Sequence, residues 1–403
     1  MKIMMVPSGY YPDCCGGVEV ITQALSEGIT KKGHEVHVLC QSNKSENTII
    51  NGVYVHKMKP KELNNKNNNV FKYKINRLLQ MYNPFNKKEL KKIIKEINPD
   101  IINIHMVRTL SMSVFKVAQE LNIPIVSTLH EYFSLWNFNP FDKMEKMLES
   151  KPQWYVELIR NKHRKLTKKI DYIIAPLEQT INIYKNEGYY RDVFGEEIVN
   201  AMPMFDEEKR LKILQEKKDR VINNNIRKFL IISRLMPFKG VELAIESFMK
   251  TKDSNMILNI VGDGPLASYV KKCAKLDKRI IYHGYLIGDE KDKIFRESDV
   301  LVFPTTELET FGLVILEAYN YCMPIISSSV SATRRLIKNN KTGYVINDIN
   351  EKKIINHFRK YNNNDILIKQ IENCYNEIKA DDYDKFIEKY INIYEKILKK
   401  VKK

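Results

Sequence analysis

No run of about 18 apolar residues occurs in the chain, which excludes a membrane-spanning helix of ordinary length. The first apolar run, Ile3 to Val6, stops at Pro7 and is too short for the core of a secretion signal. These two absences predict a cytoplasmic protein. The six cysteines, Cys14, Cys15, Cys40, Cys273, Cys322 and Cys374, show neither CxxC spacing nor histidines at zinc-site intervals. They read as reduced packing thiols. The glycine loop between Pro7 and Gly17 lacks the GxGxxG spacing of dinucleotide-binding folds. Gly28 to His34 misses the P-loop pattern, because His34 stands where a lysine is required and the segment ends a helix.

At 403 residues the chain exceeds the size of one growing core, so two domains of roughly 150 to 200 residues are expected. The net charge of +17 comes with far more lysine than arginine and abundant asparagine. That is a compositional bias, so charge alone assigns no nucleic-acid partner.

Strands and helices alternate along the chain. Lys2 to Val6 reads as a strand, Val18 to Lys32 as a helix, and Glu35 to Leu39 as a second strand, a βαβ unit that calls for a parallel sheet. Asn43 to Asn69 reads as polar surface loop with one short strand at Gly52 to Met58, and Phe71 to Ile97 as a basic helical segment. Further strands are expected at Ile101 to His105, Pro124 to Leu129 and Tyr172 to Ala175, and helices at Ser111 to Leu121, Trp154 to Lys169 and Glu178 to Asn186. Glu131 to Ser150 is an aromatic, proline-interrupted insertion. Low periodicity from Ala201 to Asn225 marks a crossing into a second unit with strands near Phe229 to Ile232, Ile257 to Val261, Ile280 to His283, Val300 to Phe303 and Pro324 to Ser327. The fold class is α/β, two doubly wound domains. They span 1–205 and 206–383, with a last helix at about 384–403 able to pack back on the first domain.

Three segments past strand ends carry the chemistry: Ser233-Arg234-Leu235-Met236-Pro237-Phe238-Lys239-Gly240, Gly262-Asp263-Gly264-Pro265, and Glu309-Thr310-Phe311-Gly312 leading through Leu313 to Glu317. Open α/β sheets bind ligands at such strand ends. Arg234 can grip two phosphate oxygens with its planar guanidinium and Lys239 a third. Glu317, in the second turn of a helix, points back toward the loop of Glu309, so both carboxylates can accept from hydroxyls of one ligand. Taken alone, the two glutamates read more readily as solvated helix residues; the arginine and lysine beside them shift that reading toward a site.

The order SRLxxxKG, GDGP, ExFGxxxxE, with an N-terminal GGVE, closely resembles the retaining nucleotide-sugar-dependent glycosyltransferases of family 4, which have the GT-B fold of two facing doubly wound domains with a cleft between them. GHEVHVL, PDIINIH, the strand ending in His130 and the KTGY segment extend the resemblance over nearly the whole chain. It implies that Arg234 and Lys239 bind the diphosphate, Glu317 the ribose hydroxyls and Glu309 the donor sugar, with Gly262, Phe311, Gly312 and Leu313 lining the donor. Gly16 and Gly17 would close over the phosphates, His130 would reach the sugar, and Tyr285 and Leu286 would border the base. Against a role for His130 stands a satisfied core histidine. The implied catalytic set is His130, Glu309, Arg234 and Lys239.

The donor would be a nucleotide-diphosphate sugar and the acceptor a glycan or lipid-linked hydroxyl, in cell-surface polysaccharide synthesis. No divalent metal is expected, since the one DxD, Asp382-Tyr383-Asp384, starts the predicted terminal helix instead of following a strand. The basic helices near Lys87 to Lys95 and Arg160 to Lys169 can dock on an anionic membrane from the cytoplasmic side, although a solvated lysine-rich face is the plainer reading. Departures from the family pattern are Cys322 for glycine, Arg334-Arg335 where a glutamate is usual, Glu131 after His130, and Ala201-Met202-Pro203-Met204 for an Asn-Gly. Competing readings are a nucleotide-sugar epimerase of the same architecture and a non-catalytic protein that binds sugar nucleotides. A glycosidase, the other user of paired carboxylates, has no use for Arg234 and Lys239.

Overall fold

The computed structural model describes residues 1–13, 16–61, 70–106, 110, 112–135, 152, 154–306, 309–379 and 381–401. The chain divides into a first unit, Met1–Met202 with Tyr383–Lys403, and a second, Pro203–Asp382.

The first unit holds β1 (Lys2–Val6), β2 (Glu35–Gln41), β3 (Glu46–Ile50), β4 (Val53–Met58), β5 (Ile101–Ile104), β6 (Ile125–Thr128), β7 (Tyr172–Ala175) and β8 (Gly195–Glu197). They form one sheet in the order β3-β4-β2-β1-β5-β6-β7-β8, parallel except for β3 against β4. β1, β5, β6 and β7 are buried along nearly their whole length, as strands covered on both faces must be, and their sequences are mostly apolar, with Asn103, Ser127 and Thr128 the buried polar exceptions. The terminal helix Asp382–Val401 covers this sheet. It buries Phe386, Ile387, Tyr390, Ile393, Tyr394 and Ile397, its Tyr394 hydroxyl accepts from Asn103 Nδ2 at 2.6 Å, and Tyr383 donates to the carbonyl of Ala24.

The second unit holds β9 (Arg227–Ile232), β10 (Met256–Val261), β11 (Ile280–Gly284), β12 (Val300–Phe303), β13 (Ile325–Ser328) and β14 (Gly343–Ile346), in the parallel order β11-β10-β9-β12-β13-β14. One apolar core runs from Phe229 through Phe248, Phe295 and Ile315 to Phe358 and Ile371.

The structure corrects the sequence reading at four points. The stretch expected as loop before Gly52 is strand β3, joined to β4 by Asn51-Gly52 with φ of 49° and 82°, the two positive values a tight hairpin turn requires. Ala201 to Asn225 contains a helix, Glu207–Asn223, capped by Asp206, whose side chain accepts from Lys209 N at 2.7 Å. Its inward face is Arg210, Ile213, Lys217 and Val221, so two of four buried positions carry cations and the apolar period is hidden. Phe71 to Ile97 is two helices, Val70–Met81 and Lys87–Ile97, broken at Pro84 by an Asn83 side chain that caps Phe85 N. Strands β8 and β14 are additional to those expected.

Cys40, Cys273, Cys322 and Cys374 are buried; Cys14 and Cys15, and the part of the aromatic insertion from Trp136 on, lie outside the described residues. Cys322 occupies a left-handed backbone position, φ 54°, which accounts for glycine being the usual residue there. Among the described residues no helix is long and apolar enough to cross a membrane.

Candidate functional site

In the second sheet the chain runs outward from β9 through β10 to β11, then returns to the other side of β9 for β12. The direction of winding therefore reverses between β9 and β12. A doubly wound sheet opens a crevice at the carboxyl ends of the two strands where this happens. The loops leaving those ends are 233–240 and 304–312, the two motif segments.

The loops are locked together by backbone. Thr306 N donates to the carbonyl of Phe238 at 2.9 Å, and Gly240, with φ 68°, lies so close to Pro304 that a Cβ would fall 2.0 Å from its carbonyl oxygen. Gly262, φ 133°, packs as tightly on Ser233, where a Cβ would sit 1.9 Å from the carbonyl oxygen. These glycines are thus required by close approach of backbone to backbone, which brings both 304–312 and 262–265 against 233–240.

Across this crevice Lys239 Nζ meets Glu309 Oε2 at 2.6 Å, with the side chains 14% and 19% exposed. Such a mostly buried pair is worth more than a surface ion pair, and an anionic ligand can compete for its ammonium. Arg234 is exposed and makes no ion pair among the described residues. Gly312, φ 80°, is the N-cap of helix Leu313–Asn320, and no side chain caps that terminus. Its first N–H groups and the positive end of its dipole suit an anion or a sugar oxygen. Phe311 is buried beneath this turn. Glu317 is held at Oε1 by Lys291 Nζ, 2.5 Å away. Tyr285 is exposed, and Leu286 packs partly on the core.

In the first sheet the winding reverses between β1 and β5. Gly16 is the uncapped N-cap of helix Gly17–Lys31 after β1, and Glu19 in that helix's first turn accepts from Ser8. His105 follows β5 and His130 follows β6. His105 Nδ1 and His130 Nε2 are 3.0 Å apart and the rings stack at 5.2 Å. Burial pushes His130 down to about 3 and, with His130 beside it, His105 well below the usual histidine range. Burial therefore favours the neutral form of both rings, and His130 Nε2 is engaged by His105.

Thus Arg234, Lys239, Gly262, Glu309, Phe311, Gly312, Leu313 and Glu317 stand on the loops and helix start around one crevice, while Gly16, Gly17 and His130 belong to the first unit. Sequence reasoning missed Lys291 and His105. For His105 a signal existed, since two strands of one parallel sheet each end at a histidine.

Residues 15–193 match the family model described as Glycosyltransferase Family 4, and residues 212–380 match Glycosyl transferases group 1. The Escherichia coli O-antigen chain mannosyltransferase C is 22% identical over 415 residues, covering 99% of both chains. Among solved structures, sucrose-phosphate synthase from Thermosynechococcus elongatus superposes with a TM-score of 0.71 at 13% identity, covering 98% of each chain. Anabaena HepE in complex with UDP-glucose superposes with a TM-score of 0.65 at 14% identity, covering 97% of this chain and 99% of its own.

Proposed function

Because this chain belongs to the group 1, family 4 glycosyltransferases and has the GT-B fold, we propose that it transfers a sugar from a nucleoside diphosphate to a glycan or lipid-linked hydroxyl in cell-surface polysaccharide synthesis. The observation that carries this reading is the Lys239–Glu309 pair across the strand-end crevice. In the resting site the lysine neutralises the carboxylate. An arriving diphosphate, gripped by Arg234, draws Lys239 onto its oxygens, and Glu309 is released to accept from the sugar's hydroxyls. One pair thereby senses both halves of the donor.

No side-chain nucleophile is assigned. The acceptor oxygen bonds to the anomeric carbon on the face from which the phosphate leaves, the bond from carbon to phosphate oxygen breaks, and the acceptor's proton passes to the departing phosphate. Configuration is retained. Arg234, Lys239 and the helix start at Gly312 stabilise the charge that develops, and losing one such contact commonly costs on the order of 100-fold in rate. Two fixed cations do the work a divalent metal does elsewhere. The NMR-determined anomeric configuration of product formed in excess EDTA tests both points; an inverted product, or no product until metal is restored, would contradict them.

The O-antigen mannosyltransferase relative supports a glycan acceptor, and the UDP-glucose complex of HepE supports a sugar-nucleotide donor. Incubating the protein with UDP, GDP, ADP and CDP sugars and an acceptor panel should release nucleoside diphosphate in step with glycoside formation. Glu309→Ala should lose transfer while binding the free diphosphate at least as well as wild type, because Lys239 is then unpaired.

A further inference from the structure

We infer that Lys291 is a positioning residue for the ribose-binding carboxylate: it fixes the plane of Glu317 so that the site selects nucleotides by their ribose hydroxyls. This rests on the donor reading above.

Lys291 lies on helix Gly288–Glu297, and its Nζ stands 2.5 Å from Glu317 Oε1, with the two side chains 30% and 19% exposed. A glutamate in the second turn of a helix ordinarily samples several rotamers, and ordering it on binding is a cost against affinity. Here the carboxylate is ordered before any ligand arrives. With Oε1 engaged, Oε2 remains to accept from a ribose hydroxyl in a fixed direction.

The lysine's own helix is anchored to the end of the helix that bears Glu317. Tyr321, just past that helix, donates from its hydroxyl to Asp292 Oδ1 at 2.8 Å, and its ring stacks on Phe295 at 4.9 Å with 17° between planes. Asp292 also takes Lys209 at 3.3 Å, so this neighbouring carboxylate is engaged and leaves Lys291 to Glu317. Donor and acceptor of the 2.5 Å bond therefore sit on two helices that cannot drift apart without breaking buried aromatic packing. The result is a rigid seat for a diol, which a diphosphate alone does not need.

The test is calorimetric binding of UDP, GDP, ADP and CDP beside their 2′,3′-dideoxy counterparts. Lys291→Met, checked for a wild-type thermal transition, should shrink the preference of ribo over dideoxy about tenfold, the scale of one charge-assisted hydrogen bond. Lys291→Arg should restore most of it. Glu317→Gln should lose the same preference, and adding Lys291→Met to it should change nothing further, because the two act as one unit. If Lys291→Met weakens ribo and dideoxy forms equally, or leaves the preference intact, the positioning role is overturned. A wild-type protein that binds none of the four diphosphates would instead overturn the donor reading itself, and this inference with it.

Discussion

Lys217 shows what a single buried residue does to this molecule. Its ammonium is fully buried and donates to the carbonyl oxygens of Phe295, at 3.1 Å, and Ser298. Desolvation first, then the nearby Arg220, pulls it down to about 7, against an unfolded value near 10.5. Between those values the unfolded chain binds the extra proton, so stability should rise with pH from about 7 to 10.5, by on the order of a few kcal/mol. Urea unfolding at pH 7 and pH 10 checks this: wild type should be the more stable at pH 10 by a margin that Lys217→Met lacks. A flat wild-type profile would show the ammonium better solvated than its burial implies. None of this was legible in the sequence, where Lys217 is one lysine in a charged stretch. The motif residues were legible, since Arg234, Lys239, Glu309 and Glu317 each follow a readable strand. Their partners were not. Lys239 and Glu309 are 70 residues apart, and only the order of β9 and β12 makes them neighbours.

The elements divide in the same way. Buried strands such as Tyr172–Ala175 and Val300–Phe303 announced themselves as apolar runs between turn signals, and the structure places them at those residues. The helix Glu207–Asn223 did not, because cations fill half its inward face; its legible mark was Asp206 followed by two glutamates, an N-cap with acids in the first turn. The hairpin turn Asn51-Gly52 was a missed signal of the same kind. The terminal helix Asp382–Val401 carries a strong expectation. It is an integral part of the first unit, with six large side chains at 5% exposure or less. At about 1.5 to 3 kcal/mol for each side chain buried, removing the six costs about 9 to 18 kcal/mol, as much as the roughly 5 to 15 kcal/mol that holds a domain folded. A chain ending at Lys379 should lose the first unit's calorimetric transition and keep the second's, since Pro203–Asp382 has its own sheet and core. Two undiminished transitions would contradict this.

At the scale of the whole molecule, the +17 charge bears on which surfaces the protein can meet. Lysines 87, 91 and 116 all converge on Glu120, at 2.6, 3.4 and 3.7 Å, so the helix Lys87–Ile97 spends part of its charge internally. In the helix Trp154–Thr167, Arg160 and Arg164 pair with Glu157 and Glu187, while its lysines make no ion pair among the described residues. Its outer ridge begins with Trp154 and Leu158, 75% and 62% exposed, and continues through Lys162 and Lys165 to Lys168, which border a groove of about 760 Å³ with Arg191. Apolar anchors followed by exposed lysines suit the headgroup region of an anionic bilayer. Vesicles rich in phosphatidylglycerol should pellet the protein at low salt and release it at high salt, and Lys165→Glu with Lys168→Glu should abolish pelleting. Equal binding by the double variant would assign the charge to solvation alone.

The central claim is that Glu309 serves the sugar while Arg234 and Lys239 serve the diphosphate. The most direct measurement sets the two against each other in one variant: for Glu309→Ala, the dissociation constant of the nucleoside diphosphate and the rate of transfer from its sugar. Diphosphate binding equal to or tighter than wild type, with transfer reduced at least 100-fold, is the predicted result. Transfer at the wild-type rate, or loss of diphosphate binding together with transfer, would contradict the account.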